Sequence, residues 1–84
     1  MNIQTKPHTR MLYTIAADII AHWPNPYFGA VPYINAMERM ALVKDKYMYE
    51  DGKSIVLYFL SNASSWRGED ARRIKTELKL MIKE

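Results

Sequence analysis

The sequence predicts an all-α fold, a small bundle of three or four helices. Three observations lead there. Apolar residues recur at spacings of three and four in the first, second and last thirds of the chain. Prolines and polar runs fall between those periodic stretches, where helices must stop or start. The last stretch is charged at almost every position outside its apolar face, the pattern of an amphipathic surface helix.

The first helix is expected from Thr9 or Arg10 to Trp23, with Leu12, Ile15, Ala16, Ile19 and Trp23 on its buried face. Pro24 ends it, because proline restricts the residue before it and cannot donate a backbone hydrogen bond. Pro32 suits the first turn of a second helix. From there Tyr33, Ile34, Met37, Met40 and Ala41 trace an apolar stripe that runs to about Val43. The stretch between, "HWPNPYFGAVPY", holds three of the four prolines and a glycine. It reads as a stiff corner, with Phe28 packed between the two helices and Tyr27 and Tyr33 needing water or a partner for their hydroxyls.

Residues 44–53 are polar and turn-like. The run "SIVLYFLSNA", Ser54 to Ala63, suits either a buried helix or a strand. A central helix from about Asp51 to Asn62 is favoured. The alternative is an α+β fold with a short hairpin around Asp51-Gly52, a dipeptide common in such turns. As a helix, Ile55 to Leu60 faces all sides, so one side is expected to stay exposed and to favour a homodimer. The last helix is capped by Ser64 or Ser65. Glu69 and Asp70 fall in its first turn, where the helix dipole favours acids. Ala71, Ile74, Leu78, Met81 and Ile82 form its buried face, and Glu69–Arg73–Glu77 can form a ladder of ion pairs.

The 84 residues make one domain, with residues 1–8 expected to be loose. There is no cysteine, which excludes disulfides, a thiol nucleophile and a thiolate zinc site. No apolar run is long enough to span a bilayer, and the first ten residues lack the apolar core of a signal peptide. A soluble, cytoplasmic protein that does not use the membrane is expected. The net charge of +3 permits contact with nucleic acid or an acidic protein without demanding it.

No catalytic constellation emerges. Asp18 and His22 can meet four apart on one helix, but no third member completes a general-base arrangement, and an exposed ion pair accounts for them. No nucleophile elbow, zinc-protease motif or phosphate-binding glycine loop is present. The chain therefore reads as a non-enzyme with no cofactor and no metal, His8 included. Two surfaces remain as candidates. Tyr27, Phe28, Tyr33, Trp66 and Arg67 form the expected partner-binding set, the aromatics being types found at interface hot spots and in small cores alike; the simpler reading of Trp66 alone is a ring folded into the core beside a helix cap. Arg72, Lys75, Lys79 and Lys83 line up on one face of the last helix, a stripe that can meet an acidic protein or a phosphate backbone. Ser64, Ser65 and Arg67 at the head of that helix could also hold the phosphates of a small ligand.

The segments "PYFGAVPYINAM" and "IVLYFLSNASSWRGEDARRIKTELK" resemble a group of short proteins encoded by phages and prophages. The resemblance implies a protein acting in the host cytoplasm by binding and occluding a host protein, some members blunting immune systems such as CRISPR effectors. It carries no functional residues with it. The expected function is thus a non-catalytic interaction protein; the alternative is a small nucleic-acid-binding accessory protein that uses the basic stripe.

Overall fold

The computed structural model describes residues 10–83. The expected loose segment over residues 1–8, with His8, lies outside the described residues. Among these residues the order is α1 (Leu12–His22), a short 3-10 turn (Phe28–Ala30), α2 (Val31–Met37), β1 (Lys46–Tyr47), β2 (Glu50–Asp51), α3 (Gly52–Ser61) and α4 (Glu69–Lys83). The two strands pair antiparallel, with Lys46 opposite Asp51 and Tyr47 opposite Glu50. The fold is therefore a mostly helical domain with a small hairpin. It is nearer the α+β alternative than the all-α bundle.

The hairpin is not turned by Asp51-Gly52. Its two-residue loop is Met48-Tyr49, with Met48 at a φ of 59°. Asp51-Gly52 instead starts α3. The Asp51 carboxylate accepts a hydrogen bond from the Ser54 amide at 2.9 Å, an N-cap. Gly52 fits under the preceding chain, where a Cβ would lie 2.7 Å from the Val43 carbonyl oxygen and 2.9 Å from that of Leu42. That close approach is held by Gly52 N–H to Asp45 O and Lys53 N–H to Val43 O, both 2.8 Å. The dipeptide carries a hairpin signal and a helix-start signal at once. The crossing of the chain at Val43 selects the second.

Helix α1 follows the sequence closely. Leu12, Ile15, Ala16 and Ile19 are buried, and the chain leaves the helix at Trp23 before Pro24. Met11 supplies no side-chain cap. The first amides of α1 are satisfied from outside instead: Leu12 N–H donates to Ala41 O and Tyr13 N–H to Met40 O, each at 2.9 Å. This explains why α2 stops at Met37 rather than near Val43. Met40 is buried as expected, but it and Ala41 have left the helix, and their carbonyls cap α1.

Phe28 departs from expectation. It is 79% exposed, while Ala30, two residues on, takes the inward position. The space between the helices is filled by Trp23 and by Trp66, stacked with centroids 5.2 Å apart and planes 7° apart. Phe59 of α3 meets both rings edge-on, at 6.3 and 6.4 Å. The Trp66 indole N–H donates to His22 O at the end of α1, 3.2 Å away. One buried side chain thus joins the end of α1, the middle of α3 and the loop before α4.

Helix α4 begins at Glu69, not beside Ser64 or Ser65. Those serines lie in a separate turn closed by Trp66 N–H to Ala63 O at 3.0 Å. Gly68 precedes the helix at a φ of +108°, a conformation that L side chains rarely adopt. Ala71, Ile74 and Leu78 are buried, with Met81 and Ile82 packed at the margin. The described residues extend 43 × 32 × 19 Å, so the thin direction holds only about two helix diameters of roughly 10 Å each. Two layers leave each helix an outer face.

Two stability changes are expected in denaturant unfolding. Gly52→Ala loses about 1–3 kcal/mol to the forced shift of residues 42–43, although alanine favours a helix by about 1 kcal/mol over glycine. Trp66→Ala loses about 3–5 kcal/mol, as for a large buried aromatic; an unchanged midpoint would contradict the Trp23–Trp66–Phe59 core.

Candidate functional site

Helix α3 buries Ile55, Val56 and Phe59. Its helical period turns Leu57 and Tyr58 to the other side, where both are exposed. Tyr58 meets Tyr33 of α2, ring centroids 5.5 Å apart. At the end of α3 the Asn62 side-chain amide folds back to donate to Tyr58 O at 2.8 Å. Its other atom faces Gly29, where a Cβ would lie 2.8 Å from Asn62 Oδ1 and 2.5 Å from the Tyr27 ring. The missing Cβ therefore lets Tyr27 lie down against the end of α3. Phe28 flanks Tyr27 at 4.9 Å. The rings form two pairs, Tyr27–Phe28 at the 3-10 turn and Tyr33–Tyr58 between α2 and α3. Tyr27, Phe28 and Tyr58 are exposed and Tyr33 is half-buried against the core, and the four are together termed the aromatic ridge. Beside it Tyr27, Ser61, Asn62, Ser64 and Ser65 line an open depression of about 320 Å³.

Three of the five expected partner-binding residues, Tyr27, Phe28 and Tyr33, belong to this ridge. Trp66 does not. It is only 4% exposed, because the indole fills the core against Trp23. Arg67 is exposed but lies on the far side of Ser64, with the cations of α4. Tyr58 was not among the expected set. The signal for it was available: once Ser54–Ala63 is taken as a helix, the Ile55–Val56–Phe59 face places Tyr58 outside.

The hairpin tip is a second apolar outcrop, also not foreseen. Met48 is 80% and Tyr49 98% exposed. Met48 takes a positive φ there, a conformation costly for a residue with a side chain.

The basic stripe divides. Lys79 and Lys83 are exposed on α4. Arg72 and Lys75 turn toward the preceding loop, where with Ser64, Trp66, Arg67, Gly68 and Ala71 they line a depression of about 260 Å³. The Lys75 ammonium donates to Trp66 O at 2.7 Å and lies 6.0 Å from the Trp66 ring centre. Burial lowers the Lys75 pKa, and the charges of Lys79 and Arg67 lower it further.

The opposite flank of α4 is neutralised. Arg10 reaches Glu77 through two hydrogen bonds, 2.9 and 2.6 Å, and Asp18 at 3.1 Å. Arg73 binds Asp18 at 3.0 Å and Asp70 at 2.9 Å. His22 Nδ1 lies 2.9 Å from Asp18 Oδ1, and its Nε2 lies 3.7 Å from Asp70. The expected Glu69–Arg73–Glu77 ladder is replaced by this network, because Asp18 of α1 and Arg10 offer partners across the helix pair. The Asp18–His22 pair is part of a clamp between α1 and α4. Hydrogen bonds from Arg73 hold the Asp18 carboxyl below the usual range, with Arg10 adding to the effect. The Asp18 backbone carbonyl and the charges of Asp70 and Asp18 raise His22. Among the described residues no group of three His, Cys, Asp or Glu side chains is placed to hold a metal ion. No described helix is long and apolar enough to cross a membrane.

Compared with known proteins, the chain matches no family model, no curated protein and no solved structure.

The clamp has a pH signature. His22 is raised in the folded state, so its contribution is complete below its unfolded value of about 6.5 and is lost as pH rises through the folded value. Asp18 is lowered, so its contribution is complete above about 3.9 and is lost as pH falls through the folded value. Urea midpoints should therefore fall on both sides of weakly acid pH. His22→Ala should flatten the alkaline limb and Asp18→Asn the acid one; limbs unchanged in both variants would contradict the clamp.

Proposed function

We propose that this chain is a non-catalytic interaction domain that binds a host-cell protein through the aromatic ridge and acts by covering part of it. The observation that supports this most is the ridge itself. Tyr27 and Phe28 pair at the 3-10 turn, Tyr58 of α3 pairs with Tyr33 of α2, and Tyr27, Phe28 and Tyr58 are exposed. Aromatic side chains supply much contact area for little lost freedom, and tyrosine adds a polar tip. Pro24, Pro26 and Pro32 restrict the segment that carries Tyr27 and Phe28, which reduces the ordering cost of binding. Burial of Phe28 in the core would leave its neighbours little surface to work with, and Phe28 is outside. The resemblance to short phage and prophage proteins favours a host protein as the partner, a defence effector of the CRISPR kind being the class it suggests.

Capture of partners from host lysate by the full chain, followed by identification, tests this. Phe28→Ser with Tyr58→Ser should abolish capture while leaving the helical circular dichroism unchanged and the unfolding free energy within about 0.5 kcal/mol of the parent, as for surface substitutions. Capture that survives these changes but is lost on Tyr49→Ser would move the site to the hairpin tip and overturn the ridge. Light scattering that shows a dimer broken by Phe28→Ser would make the ridge a contact between copies and overturn the host-protein reading.

A further inference from the structure

The cations on the two flanks of α4 are treated differently. Arg10, His22 and Arg73 are all engaged by Asp18, Asp70 or Glu77. Among the described residues Arg67, Arg72 and Lys75 have no carboxylate within ion-pair distance, yet they line one depression. The protein thus gathers three cations in one depression without pairing them, while on the other flank of α4 it pairs Arg10, Arg73 and His22 with carboxylates. The Lys75 pKa is lowered by burial first, then by Lys79, which lies outside the depression, and by Arg67 within it.

From this cluster we propose that the depression between the Ser64–Gly68 loop and the start of α4 is a binding site for a small phosphate ester, with Arg67, Arg72 and Lys75 holding its phosphate. The first turn of α4 is not what selects the anion, since it already carries Glu69 and Asp70. The side chains are. Two guanidinium groups present planar forks suited to pairs of phosphate oxygens. Lys75 is fixed by its hydrogen bond to Trp66 O, which leaves two ammonium protons to donate. The Ser64 hydroxyl adds a donor at the rim. A tetrahedral dianion can take hydrogen bonds from all four, where chloride is only a point charge. The space, about 260 Å³, lies just under the range of roughly 300–1,000 Å³ usual for small-molecule sites. It suits a phosphate with a modest substituent. A nucleic-acid strand would need the row to continue, and Lys79 and Lys83 continue it only outside the depression. This inference is independent of the aromatic ridge, and neither Phe28 nor Tyr58 lines the site.

The test is calorimetric titration of the full chain with inorganic phosphate, a nucleoside monophosphate and a single-stranded oligonucleotide, at one ionic strength set with sodium chloride. Inorganic phosphate and the monophosphate should both bind at one site per chain. Arg67→Gln with Arg72→Gln should weaken both at least tenfold. Lys44→Gln with Lys53→Gln removes the same charge from exposed positions elsewhere and should leave both unchanged. Equal weakening by the two double variants would reduce the effect to net charge and overturn the site. Binding of the oligonucleotide without binding of either small phosphate would overturn it in favour of a nucleic-acid surface. Both double variants alter exposed side chains, and an unfolding curve for each confirms that the fold is intact.

Discussion

The indole of Trp66 is the joint on which the domain depends. It stacks on Trp23 where α1 ends, meets Phe59 in α3, and donates its N–H to a terminal carbonyl of α1. Its own carbonyl accepts the Lys75 ammonium from α4. A domain of this size buries about 60% of the surface its unfolded chain exposes, so few residues can be spared from the core. A large aromatic in a loop between helices is an economical answer. It fills the gap that two thin layers leave at one end, and it fixes the loop that carries Ser64 and Arg67. The joint lies outside the aromatic ridge but lines the depression that holds Arg67, Arg72 and Lys75.

The outer faces follow from the same geometry. A two-layer arrangement must leave apolar side chains outside, and most need no functional explanation. The ridge differs by arrangement. Its rings come in two pairs from three segments, and Gly29 makes room for Tyr27 beside Asn62 at the end of α3. On the other side, α4 divides its charges. One flank is consumed in the clamp to α1 through Asp18, Asp70 and Glu77. The other keeps Arg67, Arg72 and Lys75 together with no acid among the described residues. Neutralising one flank and not the other concentrates positive potential at the head of α4.

Short-range signals held wherever one residue type had one physical option. Pro24 could only end α1, and the apolar period of α1 and α4 could only face inward. They failed where two local options were close in energy. Asp51-Gly52 can turn a hairpin or start a helix, and Met40-Ala41 can prolong α2 or leave it. Phe28 and Trp66 could each have packed against Trp23 in the gap between helices, and Trp66 took the place. The ion-pair ladder along α4 was plausible on its own helix, but partners 55 and 67 residues away in the chain displaced it.

By itself the sequence determined the helical character, the end of α1 before Pro24, the buried faces of α1 and α4, and the clustering of cations near the start of the last helix; the start of α1, expected at Thr9 or Arg10, falls at Leu12. Each rests on contacts within a few residues, through helical periodicity and the backbone limits of proline. Tertiary structure alone decided that the chain crosses itself at Val43 and Gly52, that Met40 and Ala41 cap α1, that Trp66 is inside and Phe28 outside, and which cations are neutralised. Those outcomes depend on which distant groups arrive first-hand at a carbonyl, a carboxylate or a cavity. No local pattern encodes the distance between residues that only the folded chain brings together.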